Sequence, residues 1–367
     1  MTPTVLLIGG GTGGHIYPLL AAAERLRMGD PVRLVAVCSD RTVDGAVLDP
    51  VLARGELDAV LPIPARPLLA SPRGLLALAR SWGPSVRAVR REIERARGPV
   101  AALSTGGFVA VPAARACRGL GVPLALVALD VPPGKATRLL ARRADERLNA
   151  SPVDLSGWTR VGPIVRTAAL AGPDPAAART ALGLDPARRT LVVFGGSQGA
   201  RTVNRFVRAF LDRHADDLAR AGWQVLHQTG AHAEPAPESP NRSVRTVEFI
   251  DRVGDAWTAA DLVLSRAGAG AVAEATLARR PCVFMPYPFH ADDHQRRNAE
   301  ELVAAGAAIV FDDRREPEAN LAAHGPALLE MLSDPDRLDE MGERAQGRPA
   351  LDPGAEDVAR RVRALLA

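Results

Sequence analysis

The chain has 367 residues, long for one domain and natural for two, and its 47% hydrophobic and 24% charged residues suit an ordinary globular protein. Aromatics are only 4%, so Ala, Leu and Val must fill most of the cores. The net charge of +4 is mild and almost wholly Arg, Lys135 being the one lysine, so composition gives no nucleic-acid signature. The cysteines Cys38, Cys117 and Cys282 are odd in number and widely spaced, which argues against a disulfide framework and a zinc site. No basic segment leading into an apolar stretch and cleavage site opens the chain, and no apolar run reaches the length of a membrane span. The expected location is the cytoplasm, with any membrane contact made at the surface.

Thr4 to Ile8 reads as a buried strand, and Gly9-Gly10-Gly11-Thr12-Gly13-Gly14-His15 follows it and opens a helix running to Arg27. Glycines let a backbone turn tightly and approach a ligand, and a helix N-terminus offers free N–H groups to phosphate. The loop lacks the Gly-Lys-Ser/Thr of a P-loop and is a poor dinucleotide fingerprint. A plain strand–helix turn remains the alternative. His15 sits where the helix end disfavours an imidazolium, which suits a general base, although a satisfied structural histidine is the plainer reading.

Further strands fit Val32 to Cys38, Ala59 to Ile63, Val100 to Ser104 and Leu124 to Leu129, with helical patterns at Gly74 to Arg97 and Val109 to Leu120. Strand and helix alternating in this way predict a parallel sheet covered on both faces. Within residues 66–91, Leu68, Leu69, Leu75, Leu76, Leu78 and Trp82 are interleaved with Arg66, Arg73, Arg80, Arg87, Arg90 and Arg91. That pattern fits either a basic amphipathic stretch at an anionic membrane or a surface helix packing its leucines on the sheet.

A boundary is expected near Val161-Gly162-Pro163, after which the plan repeats. Thr190 to Phe194 is a strand ending in Gly195-Gly196-Ser197-Gln198-Gly199, with a helix from Thr202 to Arg220. Strands then fit Gln224 to His227, Val244 to Phe249, Leu262 to Ser265, Pro281 to Met285 and Ala308 to Phe311; residues 230–241 read as a surface loop. Ser265-Arg266-Ala267-Gly268-Ala269-Gly270-Ala271 opens a small-residue helix with Glu274 about two turns in, deep enough to accept ribose hydroxyls. Arg266 could serve a phosphate or a surface salt bridge. His290 and His294, spaced i, i+4 with Asp292 and Asp293 between them, invite a metal reading, but no third ligand is obvious. Asp334-Pro335-Asp336 reads as a helix N-cap with proline at N1, and Asp352-Pro353-Gly354 breaks the chain before a last helix.

Taken in order, GGGTGGHIYP, STGGFVAVP (104–112), VGPIVR (161–166), GGSQGARTVN (195–204), EFID (248–251), SRAGAGAVAE and HADDHQRRNA resemble the MurG family of GT-B glycosyltransferases over nearly the whole chain. The resemblance implies an α/β fold of two Rossmann-like, doubly wound parallel-sheet domains. Residues 1–161 would bind the acceptor, with 353–367 packing back on them, and 162–352 would bind the UDP-sugar. The implied activity is inverting transfer of N-acetylglucosamine from UDP-N-acetylglucosamine to lipid I, a lipid-linked acceptor at the inner leaflet, giving lipid II. No cofactor, metal or nucleic acid is implied.

Carried over by position, Thr12, Gly13 and Gly14 would face phosphates, and His15 would be the general base. Arg166 and Ile250 would hold the uracil, Ser197 the diphosphate, and Ala269, Gly270, Ala271, Val272, Ala273 and Glu274 the nucleotide, with Glu274 on the ribose. Gln295 would contact the sugar. Where the family usually has His-Glu-Gln-Asn, this chain has Val127-Ala128-Leu129-Asp130, which puts Asp130 at the acceptor side; Phe108 stands where Tyr is common. This departure keeps three alternatives open. They are a GT-B transferase with another acceptor, a UDP-N-acetylglucosamine epimerase, and a nucleotide-sugar-binding protein with little turnover.

Overall fold

The computed structural model describes residues 1–11, 13–69, 71–196, 199–231, 243–289 and 293–367. The chain divides into two compact units, Met1–Arg166 with Pro353–Ala367, and Thr167–Asp352. Residues 162–166 thus fold with the first unit, five residues beyond the boundary expected from sequence.

The first unit runs β1 Thr4–Ile8, α1 Gly13–Arg27, β2 Arg33–Ser39, α2 Thr42–Ala53, β3 Ala59–Ile63, α3 Pro72–Arg95, β4 Val100–Ser104, α4 Ala110–Gly119, β5 Leu124–Ala128, α5 Lys135–Ala141, β6 Glu146–Asn149 and β7 Thr159–Arg160. Its seven strands lie in the order β3-β2-β1-β4-β5-β6-β7, all parallel. Helices cover both faces, which is why β1 is an unbroken apolar run rather than an alternating one. Val5 and Leu7 enter one core with Leu19 and Leu20 of α1, while Leu6 and Ile8 enter the other with Val109 and Ala113.

The second unit opens with a 3₁₀ turn at Thr167–Ala169. It continues α6 Pro175–Ala181, β8 Arg189–Phe194, α7 Arg201–Arg220, β9 Trp223–Gln228, β10 Val244–Val247, α8 Val253–Ala259, β11 Leu262–Ser265, α9 Ala269–Ala278, β12 Cys282–Phe284, α10 His294–Ala304, β13 Ala308–Val310, α11 Pro317–Ser333 and α12 Pro335–Gly347. The sheet order is β10-β9-β8-β11-β12-β13, again parallel, so the same winding is used twice. Asp334 caps α12 by accepting from the Arg337 N–H at 3.1 Å, with Pro335 at the first helical position.

The chain then returns to the first unit as α13, Ala355–Ala364. Val358, Ala359 and Val362 enter the α1 side of its core. Gly354 is required at the join, since a Cβ there would lie 2.1 Å from the Gly162 carbonyl oxygen.

In each unit the sheet order reverses beside its first strand, between β1 and β4 and between β8 and β11. Connections leave to opposite faces at such a point, and a crevice opens outside the carboxyl ends of the strands. Register fixes what stands there. Ile8 pairs with Ser104, and Phe194 with Ser265, so the glycine loops after β1 and β8 emerge level with the loops after β4 and β11.

Candidate active site

In the first unit the glycine loop is held by a residue that the motif does not contain. The Asp44 side chain, on the first turn of α2, is fully buried. It accepts from the Gly11 N–H at 2.8 Å, the Ser39 N–H at 2.9 Å and the Ser39 hydroxyl at 2.6 Å. Gly10 must lack a side chain because a Cβ there would sit 2.4 Å from Asp44 Oδ2. Gly11 has φ +87°, and the Phe108 ring occupies the space its Cβ would need, at 2.3 Å. Arg41 lies over that ring, 5.0 Å from its centroid. Helix α1 begins at Gly13, so the N–H groups of its first turn have no acceptor within the helix. Gly13 and Gly14 stand at that turn; Thr12 lies outside the described residues.

His15 is locked by the loop after β4. Its Nδ1 is 3.1 Å from the Thr105 carbonyl oxygen, and the Thr105 hydroxyl donates back to the His15 carbonyl at 2.8 Å. A carbonyl only accepts, so Nδ1 carries the proton and Nε2 is the acceptor nitrogen. Burial lowers the imidazole pKa, opposed by the Asp130 charge, the Thr105 bond and the Asp44 charge, so the ring is neutral near pH 7. Gly107, at φ +78°, leaves the ring its room: a Cβ there would lie 3.2 Å from His15 Cδ2.

Arg166 is engaged by two carboxylates. It ends the first unit, where its guanidinium is held by Glu24 at 2.6 Å and Glu56 at 2.5 Å.

In the second unit the loop after β8 is again defined by close backbone approach. A Cβ on Gly195 would lie 2.6 Å from the Gln228 carbonyl oxygen, and one on Gly230 would lie 2.3 Å from the Gly199 nitrogen. Asn204 ties these segments, its Nδ2 donating to the Thr229 carbonyl at 2.8 Å while its Oδ1 accepts from His227 Nε2 at 3.1 Å. His227 is buried, which pushes its pKa down to about 4, so it serves as a neutral donor. Ser197 lies outside the described residues.

Helix α9 opens on small residues, and a Cβ at Gly270 would meet nothing within 4 Å. Glu274 sits among its partly buried positions and accepts from the Trp257 indole N–H at 2.9 Å. Burial pushes its carboxyl up to about 7, against the Trp257 bond, which lowers it. Trp257 is fully buried and stacks near Phe194, with ring centroids 5.2 Å apart. Val272 and Ile250 turn their side chains into the same core. Ala269, Ala271 and Ala273 are partly exposed. Gln295, on the first turn of α10, accepts from the Tyr287 N–H at 2.9 Å.

Arg266 is neither a surface salt bridge nor a solvent-facing cation: it is mostly buried and pairs at 2.8 Å with Asp313, whose side chain has no exposed surface. His290 and Asp292 lie outside the described residues, and no group of three His, Cys, Asp or Glu side chains among the described residues is disposed to hold a metal. The three thiols are buried; burial pushes Cys38 and Cys117 up to about 12 and Cys282 up as well, so none is a nucleophile at neutral pH.

Residues 5–148 match the glycosyltransferase family 28 N-terminal domain, and residues 190–355 match the glycosyltransferase family 28 C-terminal domain. A Nocardioides sp. protein named UDP-N-acetylglucosamine–N-acetylmuramyl-(pentapeptide) pyrophosphoryl-undecaprenol N-acetylglucosamine transferase is 38% identical over 93% of this chain and 92% of its own. A Leifsonia xyli protein of the same name is 38% identical over 98% of this chain and 97% of its own. The crystal structure of Acinetobacter baumannii MurG superposes with a TM-score of 0.71 at 21% identity, covering 99% of this chain and 100% of that one. The fold is therefore GT-B.

Asp44 makes a direct prediction about the loop. Asp44→Ala strands the Gly11 and Ser39 donors and should cost at least about 3 kcal/mol. Urea unfolding of wild type and variant measures this; a loss under about 0.5 kcal/mol would show that the loop does not depend on Asp44.

Proposed function

The chain belongs to glycosyltransferase family 28 and, within it, to the MurG family, and from that premise we propose that it transfers N-acetylglucosamine from UDP-N-acetylglucosamine to lipid I, giving lipid II. The observation that carries the mechanism is His15, a neutral imidazole whose Nδ1 is engaged by a carbonyl and whose Nε2 is left as an acceptor. Nε2 takes the proton of the acceptor hydroxyl while that oxygen attacks the anomeric carbon. The bond from that carbon to the diphosphate oxygen breaks on the opposite face, its electron pair leaves with UDP, and the configuration inverts.

The first unit presents the acceptor and the second binds the donor. N–H groups at the starts of α1, α7 and α9 carry the partial positive charge that phosphate takes, and Thr12, Gly13, Gly14 and Ser197 are the phosphate contacts of this reading. Glu274 takes the ribose hydroxyls, Ala269 to Ala273 line the nucleotide, the Ile250 backbone meets the uracil, and Gln295 meets the sugar. Arg166, paired with Glu24 and Glu56, meets the uracil. Ala128 and Asp130, in place of the family's Glu and Asn, favour one second reading: the same donor with a different acceptor.

Contact with an anionic membrane is the further part of this proposal. No helix among the described residues is long and apolar enough to cross a membrane. Helix α3 buries Gly74, Ser81, Ser85, Val89 and Ile93, while Leu75 and Leu76 stay 53% and 50% exposed. Leu75 and Leu76 are thus not spent on the sheet, while Leu78 is half-buried. Trp82 borders a cavity of about 510 Å³ whose lining includes Leu139, Leu140, Arg115, Arg118 and Arg143. Apolar side chains ringed by arginines suit an interfacial position on an anionic leaflet.

Label transfer from UDP-N-acetylglucosamine to purified lipid I tests the activity. Label in lipid II is expected; UDP binding without transfer to lipid I would move the search to another acceptor. In the same assay His15→Ala should lower kcat by about 10²–10⁴-fold and leave UDP affinity nearly unchanged, whereas equal losses in both would remove the general-base role.

A pH dependence follows from Glu274. Its carboxyl is ionised above about 7 and protonated below it, so an acceptor of ribose hydroxyls is lost as pH falls. The KM for UDP-N-acetylglucosamine should rise as pH drops below about 7, and Glu274→Gln should flatten that profile at a raised KM. A wild-type KM that stays flat from pH 8 to pH 6 would contradict the ribose role.

Vesicles containing an anionic phospholipid should sediment the protein in a salt-sensitive manner, and Leu75→Glu with Leu76→Glu should abolish this. Unchanged sedimentation of the double variant would remove α3 as the contact.

A further inference from the structure

Four loops leave the carboxyl ends of β8, β11, β12 and β13, and one buried ion pair joins them. Asp313 follows β13. Its Oδ2 accepts from Arg266 Nη1 at 2.8 Å and from the Thr202 hydroxyl, and its Oδ1 accepts from Asn320 Nδ2 at 3.0 Å and the Arg315 N–H at 2.8 Å. Arg266 stands in the loop between β11 and α9. Its Nη2 donates to the Thr202 hydroxyl oxygen at 2.6 Å, and Nη1 also donates to the carbonyls of Met285 at 2.9 Å and Pro286 at 3.1 Å. Thr202 lies on the first turn of α7, and Met285 and Pro286 directly follow β12. The next residue, Tyr287, lies beside the guanidinium, 5.7 Å from its ring centroid, and its N–H is the one that Gln295 accepts.

A buried ion pair is a poor source of net stability, because desolvating both charges offsets most of their attraction. What such a pair does well is hold position, since the guanidinium fork has fixed geometry and both of its terminal nitrogens donate here. Burial pushes the Asp313 carboxyl up, and the bonds from Thr202, Asn320 and Arg266 outweigh it, so the group stays ionised well below neutral pH. The carboxylate therefore keeps Arg266 directed at α7 and at the β12 loop.

We propose that Asp313 is a positioning residue for donor binding: through Arg266 and Thr202 it sets the spacing between the start of α7, the start of α9 and the β12 loop that leads to Gln295. The residue touches no substrate itself. The proposal rests on the donor reading of the second unit.

The test uses the full chain and three variants, Asp313→Asn, Asp313→Glu and Thr202→Val. Thr202→Val keeps the ion pair and removes only its bridge to α7, so it carries the test if Asp313→Asn does not fold. UDP affinity by calorimetry, KM for each substrate, kcat and the thermal midpoint are measured on each. A positioning role raises the donor KM and weakens UDP binding by about tenfold in the folded protein, leaves the acceptor KM unchanged, and is partly rescued in Asp313→Glu. A purely structural role lowers the thermal midpoint and the active fraction while the donor KM of the remaining protein stays at the wild-type value, and that result overturns the proposal. Wild-type protein that binds no UDP overturns the donor reading and this inference with it; wild-type binding with unchanged affinity in Thr202→Val and Asp313→Asn overturns the positioning role alone.

Discussion

The structure depends on one constraint: a glycine-rich loop at the reversal point of a parallel sheet has no side chains with which to hold itself in place. Glycine is required there because neighbouring groups come within 2.3–2.6 Å of where a Cβ would be, as at Gly10, Gly11, Gly195 and Gly230. Each loop is instead fixed from outside by long-range polar contacts. In the first unit Asp44 grips the Gly11 N–H across 33 positions of sequence. In the second, Asn204 spans to Thr229, and Asp313 reaches Thr202 from 111 positions away. A carboxylate grips the loop itself in the first unit, whereas in the second the polar contacts tie the segments that flank it.

Burial also sets the protonation of the candidate site residues. His15 and Glu274 are both partly buried, and in both burial is the largest influence, favouring the neutral form. For an imidazole that means an unprotonated acceptor at neutral pH. For a carboxyl it means a group that ionises near neutrality. His227 is shifted in the same direction by burial and is spent inside the loop scaffold on Asn204. Perturbed protonation alone therefore does not mark a reacting group; the direction in which its unshared nitrogen or oxygen faces does.

Most of the sheet was legible in the sequence because strands buried on both faces are continuous apolar runs. β1, β3 and β4 have the bounds that Thr4–Ile8, Ala59–Ile63 and Val100–Ser104 suggest. β6 and the two-residue β7 escaped notice, since Glu146-Arg147-Leu148-Asn149 carries no apolar run and lies toward the sheet edge. α2 escaped because Gly45 and Pro50 interrupt its pattern. The glycine loops, His15, Glu274 and Gln295 could be found locally, from motif and spacing. Asp44, Thr105 and Asp313 could not: each is an ordinary polar residue whose meaning comes from a partner far along the chain. Arg266 was visible as a charge, but only the fold shows that the charge is buried and paired. The leucines of α3 show the converse, since sequence offered two faces for them and burial of Gly74, Ser81 and Ser85 decided which turned outward.

The departure at 127–130 can be weighed in the same terms. Ala128 is buried at the end of β5, and Asp130 stands two residues further along the same carboxyl edge. The Asp130 charge matters to His15, because among the influences that oppose burial there it is the largest. A neutral side chain at 130 would leave burial less opposed and the imidazole a weaker base.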